Sequence, residues 1–61
     1  MNNIRKIRKK AGLTQSELGK MLNVTQTAIS LYELEKRSPD IYMAKAIAKA
    51  LHVPINELFP D

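Results

Sequence analysis

The chain has 61 residues, no cysteine, one histidine, and ten Lys and Arg against six Asp and Glu, for a net charge of +4 at pH 7. That length points to one small domain over residues 1–61, near the size where a single core is marginal and self-association helps. Without thiols there are no disulfides or thiolate zinc sites, and His52 alone leaves a metal only carboxylates.

No apolar run approaches the roughly 20 residues of a membrane span, and the basic N-terminus lacks the apolar stretch of a signal peptide. A cytoplasmic protein without membrane contact is expected.

Residues from Asn2 or Asn3 to Ala11 read as the first helix, with Ile4, Ile7, Arg8 and Ala11 at i, i+3, i+4 and i+7 and Asn as a suitable cap. Arg8 is the odd member, because a guanidinium on an apolar stripe is expensive to desolvate without a carboxylate. Glu33, at the end of the third helical pattern and just off its apolar face, is the chosen partner for a structural ion pair. The alternative is that Arg8 lays its stem along the stripe and keeps its charge in water.

Gly12 ends this helix and Leu13 packs under the turn. Thr14 caps the next one, with Glu17 three residues on completing a capping box. Gln15 then falls at the first helical position, where its amide and the unpaired backbone N–H groups face outward toward an anion.

The second and third helical patterns, Gln15 to Leu22 and Thr25 to Leu34, are separated by a very tight turn. Leu18 and Leu22 share one face; Ala28, Ile29 and Tyr32 share another; both faces point into one core. Asn23 suits the left-handed backbone such a turn needs, Val24 fills the angle, and Gly19 lets a crossing helix come close. With its apolar side inward, the third helix sends Gln26, Thr27, Ser30, Leu31 and Leu34 outward.

The first four of these are uncharged, unusual for a solvent-facing helix in so charged a chain. Gln26 can make two hydrogen bonds to the N6 and N7 edge of adenine, Thr27 and Ser30 can donate or accept, and Leu31 suits a thymine methyl. The competing reading is that Leu31 and Leu34 form a protein-contact patch. Lys36 and Arg37 follow, at the tip of the loop Leu34 to Pro39.

Asp40 caps the fourth helix, with Ile41, Ala44, Ile47, Ala48 and Leu51 inward. His52 ends it as a residue tolerant of positive φ, a pH-switch role being the weaker reading. Pro54 opens a short fifth helix through Leu58, with Val53, Ile55 and Leu58 available to close the core. Phe59, the only Phe, either folds back on the first or fourth helix or packs across a two-fold axis. Leu58 and Phe59 are therefore the candidate dimer contacts.

Leu18, small Gly19, Leu22, Val24, Ile29 and Tyr32, together with the flanking GLTQSEL and SPDIYMAKAIAKAL segments, resemble the phage-repressor, Cro-type (XRE-like) helix-turn-helix proteins from about Ile4 to Phe59. The resemblance implies an all-α fold, a compact five-helix lambda-repressor-like domain, with the third helix as the recognition helix. It also implies the Arg8–Glu33 pairing, a DNA phosphate contact at Gln15, and dimers formed near the C-terminus. The family commonly has glycine where Glu35 and His52 stand. At Glu35 this suggests a different loop path and a carboxylate opposing a nearby phosphate.

Charge is unevenly spread. Residues 1–39 hold eight of the ten cations and three carboxylates, a net +5, while residues 40–61 hold two cations and three carboxylates, a net −1. One side suits a polyanion; the bland alternative is solubility.

Taken together the chain reads as a sequence-specific double-stranded DNA-binding transcriptional regulator, in sense a repressor, acting as a homodimer. Gln26, Thr27, Ser30 and Leu31 meet bases; Gln15, Thr25, Lys36 and Arg37 hold phosphates; Thr14, Asn23, Lys9 and Lys10 are weaker candidates. No catalytic pair, cofactor or small-molecule substrate is expected. The rival classes are a protein-interaction module of the antitoxin or anti-repressor type, and a non-specific nucleic-acid or RNA-shape binder.

Overall fold

Five helices follow one another in the computed structural model, which describes residues 1–60: α1 (Ile4–Lys10), α2 (Gln15–Leu22), α3 (Gln26–Glu33), α4 (Ile41–Leu51) and α5 (Ile55–Leu58). There is no strand among the described residues. α2 packs mainly on α3 and also on α4, α5 closes against α4, and α1 lies on α3. No helix among the described residues is long and apolar enough to cross a membrane.

The core takes one fully buried large residue from each helix: Ile4, Leu18, Ile29, Ile47 and Leu58. Each such burial stabilises by about 1.5–3 kcal/mol relative to exposure. Tyr32, Ala28, Ala48 and Leu51 complete the cluster, and Leu13, Val24 and Val53 pack against it from the turns.

This layout corrects two expectations. Leu58 is wholly enclosed by its own chain and has no surface to offer a second copy, whereas Phe59 is only half-buried against the same core. Ile41, expected inward, is 56% exposed, since the first turn of α4 projects past the core.

The first four helices all stop in the same way. A residue one or two positions past each helix is left-handed: Gly12 (φ 78°), Asn23 (62°), Glu35 (60°) and His52 (59°). Its N–H reaches back to Lys9, Lys20, Tyr32 or Lys49, and the next residue's N–H to Arg8, Gly19, Leu31 or Ala48. These paired bonds satisfy the last carbonyls of each helix.

At Glu35 the loop thus follows the path glycine would take, not the different one expected. The residue after the left-handed position is apolar and tucked inward at three stops (Leu13, Val24, Val53), but at the end of α3 it is the exposed cation Lys36.

Starts are equally local. Thr14 and Glu17 form the reciprocal capping box, Thr25 Oγ1 accepts from Ala28 N–H at 3.1 Å, and Asp40 accepts from Met43 N–H at 2.8 Å. α1 differs: Asn3 holds the cap position without a side-chain bond, and Asn2 Oδ1 accepts from Ile4 N–H instead. Asn2 also donates to the Tyr32 carbonyl at 2.9 Å, while Asn3 donates through its backbone to Leu58 O and through its amide to Glu57 O. Two residues thereby tie the end of α3 to α5.

Candidate nucleic-acid interface

The turn between α2 and α3 is what aims α3. A Cβ on Gly19 would stand 2.8 Å from the Val24 carbonyl oxygen and 3.3 Å from the Thr25 carbonyl carbon, so only glycine admits the turn backbone this closely. The tight approach is to the backbone of the turn and of the α3 cap residue Thr25, ahead of the crossing helix itself. With Ala28, Ile29 and Tyr32 buried, Gln26 and Thr27 are exposed and Ser30 and Leu31 half-exposed on the opposite side, with Leu34 60% exposed at the helix end. The one charged residue in α3, Glu33, lies one turn beyond Ser30 on the Gln26 side, but its side chain is 3% exposed, so the accessible face carries no charge.

Glu33 is instead the anchor of a buried network. Its side chain and that of Arg8 are 3% and 7% exposed. Arg8 Nε donates to Glu33 Oε2 at 2.6 Å, Nη2 to Oε1 at 3.3 Å, and Nη1 to the Leu13 carbonyl at 2.7 Å. No buried side-chain polar atom among the described residues lacks a partner, which is the condition under which so dry a pair is tolerated.

Gln15 joins it: Nε2 donates to Glu33 Oε1 at 3.0 Å, and Gln15 Oε1 accepts from Gln26 Nε2 at 3.5 Å. This corrects the outward-facing amide expected at Gln15. Its side chain is turned inward as a link between the buried carboxylate and Gln26, and the backbone N–H groups of Gln15 and Ser16 are what remain to face an anion. Two partners 18 and 11 residues away do this, and no local pattern in the chain announces them.

An open groove of about 890 Å³ runs between α1, the start of α2 and α3. Gln15, Ser16, Gln26, Ser30 and Leu34 line it on one side, Arg5 and Lys9 on the other, with Arg8 and Glu33 beneath. Thr14 also borders it, its hydroxyl oxygen accepting from the Glu17 N–H in the cap and its hydrogen left to donate.

Lys10, with Lys6, borders a separate hollow beside Asn56 and Glu57 of α5, so the two weaker lysine candidates part company. Asn23 and Thr25 are exposed at the turn. Lys36 and Arg37 are exposed beyond the other end of α3, where Arg37 shares a hollow with Met1, Glu35 and Phe59. The Glu35 carboxylate in that hollow meets the Met1 ammonium at 3.3 Å and the Asn2 N–H at 3.2 Å. Arg5 was missed in the sequence, although its i, i+4 spacing from Lys9 and i, i+3 spacing from the inward Arg8 were readable there.

This arrangement is that of a helix-turn-helix domain with its second helix presented. The sequence model of the helix-turn-helix family matches residues 4–58, and the chain belongs to that family, in its phage-repressor-like branch. It is 38% identical over 56 residues to an uncharacterized HTH-type transcriptional regulator of Archaeoglobus fulgidus, covering 92% of this chain and 80% of that one. A second such regulator, from Methanothermobacter thermautotrophicus, is 44% identical over 48 residues, covering 79% and 70%. Among solved structures it is similar to the P22 c2 repressor protein, crystallised with a synthetic operator, with a TM-score of 0.86, 37% identity, and coverage of 97% of this chain and 91% of that one.

Proposed function

We propose that this protein is a sequence-specific duplex DNA-binding transcriptional regulator, a repressor, that places α3 in the major groove. The observation that carries the reading is the line from Glu33 through Gln15 to Gln26. A glutamine that reads a base must be held still, and this one is steadied from a buried ion pair. Giving one Nε2 hydrogen to Gln15 leaves Gln26 its other N–H and its carbonyl oxygen, the donor and acceptor needed for adenine N7 and N6.

Thr27, Ser30 and Leu31 extend the base-facing strip, and the free N–H groups at the start of α2 meet a phosphate beside it. Lys36, Arg37 and Thr25 lie at the ends of α3, where phosphates flank the groove. The likeness to a repressor solved on its operator supports duplex DNA as the partner.

The protein acts as a homodimer, since so small a core benefits from a partner and a palindromic site then spaces two recognition helices about 34 Å apart. Phe59 and the exposed Ile41 border one largely apolar groove and are its contact residues.

Selection of bound duplexes from a random library tests the whole reading. The expected outcome is a palindromic consensus, and Gln26→Ala relaxes one position per half-site at a cost of about 1–3 kcal/mol. Absence of any enriched sequence, or a consensus indifferent to Gln26→Ala, would overturn it.

A further inference from the structure

α1 carries four exposed cations in two i, i+4 pairs, and the fold sends them to different places. Arg5 and Lys9 border the groove that holds Gln15, Gln26 and Ser30; Lys6 and Lys10 border the hollow beside Asn56 and Glu57. We propose that Arg5 and Lys9 form a second phosphate clamp, gripping the DNA strand on the α1 side of α3, while Lys6 and Lys10 take no part. The proposal rests on the duplex-binding reading above and names the contacts that complete it.

Three observations carry it. The groove holds three cations, Arg5, Arg8 and Lys9, against one carboxylate, Glu33. Arg8 and Glu33 cancel each other at 2.6 Å and are shut away from solvent, so the accessible charge is that of Arg5 and Lys9 alone. Neither is paired with a carboxylate among the described residues, and α1 holds no acidic residue at all, although an acid in its first turn would favour the helix.

The third observation is placement. Lys36 and Arg37 lie past the C-terminal end of α3, leaving the α1 flank with only neutral donors unless Arg5 and Lys9 serve it. A helix seated in a major groove has a phosphate strand on each side, and grips on both hold it in register. Side chains one turn apart on α1 reach successive phosphates rather than the same one.

Lys6 and Lys10, on the same helix, have Glu57 beside them and the width of α1 between them and the groove. They supply the matched control, equal in charge and different in position.

The test compares Arg5→Gln/Lys9→Gln with Lys6→Gln/Lys10→Gln and the unaltered chain, by fluorescence anisotropy on a selected duplex and a scrambled one between about 50 and 200 mM salt. Removing two phosphate contacts lowers the slope of log affinity against log salt by about two per bound chain, so the Arg5/Lys9 variant loses roughly tenfold less affinity per bound chain across that range, or about a hundredfold for a bound dimer. Its preference for the selected over the scrambled duplex stays as it was, and ethylation interference disappears at the phosphates of one strand. The Lys6/Lys10 variant keeps nearly the original slope.

Equal slopes for the Arg5/Lys9 variant and the unaltered chain would overturn the clamp while leaving duplex binding in place. Equal reductions in both double variants would overturn it in favour of diffuse attraction. A chain that binds neither duplex at any salt would remove the clamp and the proposed function together.

Discussion

His52 and Glu35 stand in left-handed backbone that L side chains enter only at a cost, φ 59° and 60°. The strain is about 1–2 kcal/mol in such a conformation, partly offset because glycine loses more freedom on folding. His52 is the cleaner site for a test, being exposed, with no side-chain hydrogen bond among the described residues. His52→Gly is expected to raise stability by about 0.5–1 kcal/mol, read as a higher urea midpoint at unchanged m-value; a lower midpoint would show that the left-handed turn is unstrained. Asn23 needs no such relief, since Asn tolerates this region. The stops at Asn23 and His52, like the Thr14–Glu17 box, were legible in the sequence because each is settled by residues within five positions of one another, whereas at Glu35 the missing glycine pointed to a different loop path that the backbone does not take.

At the scale of elements, the meeting of α1 with α3 depends on a salt bridge that cannot be loosened by halves. Glu33→Ala leaves the Arg8 guanidinium buried and uncompensated, with an expected loss of about 3–5 kcal/mol, and frees Gln15 at the same time. Arg8→Met/Glu33→Leu instead replaces the pair with apolar volume and is expected to recover most of that loss, while selectivity at the position read by Gln26 stays weakened. Urea melts of the three proteins, followed by anisotropy on matched and mismatched duplexes, check both halves. A double variant with undiminished selectivity would mean that Gln26 is held by its own rotamer.

The pairing of Arg8 with Glu33 was readable in the chain because a charge on an apolar stripe demands an opposite one. That Gln15 would join it was not. Gln15 sits at a helix start in sequence, and only the crossing of α1, α2 and α3 brings its amide to the carboxylate. Ile41 misled for a related reason: it has the helical spacing of a core residue, yet it lies in the first turn of α4, ahead of the part that α2 and α5 cover.

At the scale of the whole molecule, one enclosed residue per helix makes a small core, and the groove bordered by Ile41 and Phe59 is where a second copy would add to it. Ile41→Asp is expected to shift sedimentation at micromolar concentration from dimer to monomer and to weaken binding to a palindrome far more than to a half-site, with little change in the melt of the dilute chain. Unaltered sedimentation would place the contact elsewhere. The sequence could not separate Leu58 from Phe59 as candidates for this contact, because adjacent residues at the end of a one-turn helix differ only in which way the helix is rolled against α4.

Asn2 does two opposite jobs with one amide, its oxygen receiving Ile4 N–H and its nitrogen serving the Tyr32 carbonyl. Conversion of that amide to an acid, the ordinary ageing chemistry of asparagine, would therefore split the two. A carboxylate still receives the N–H that opens α1, but it has no hydrogen for Tyr32. The chain would keep its helices and lose the rivet that fastens the far end of α3, so the damage of storage would be felt first at the end nearest Lys36 and Arg37.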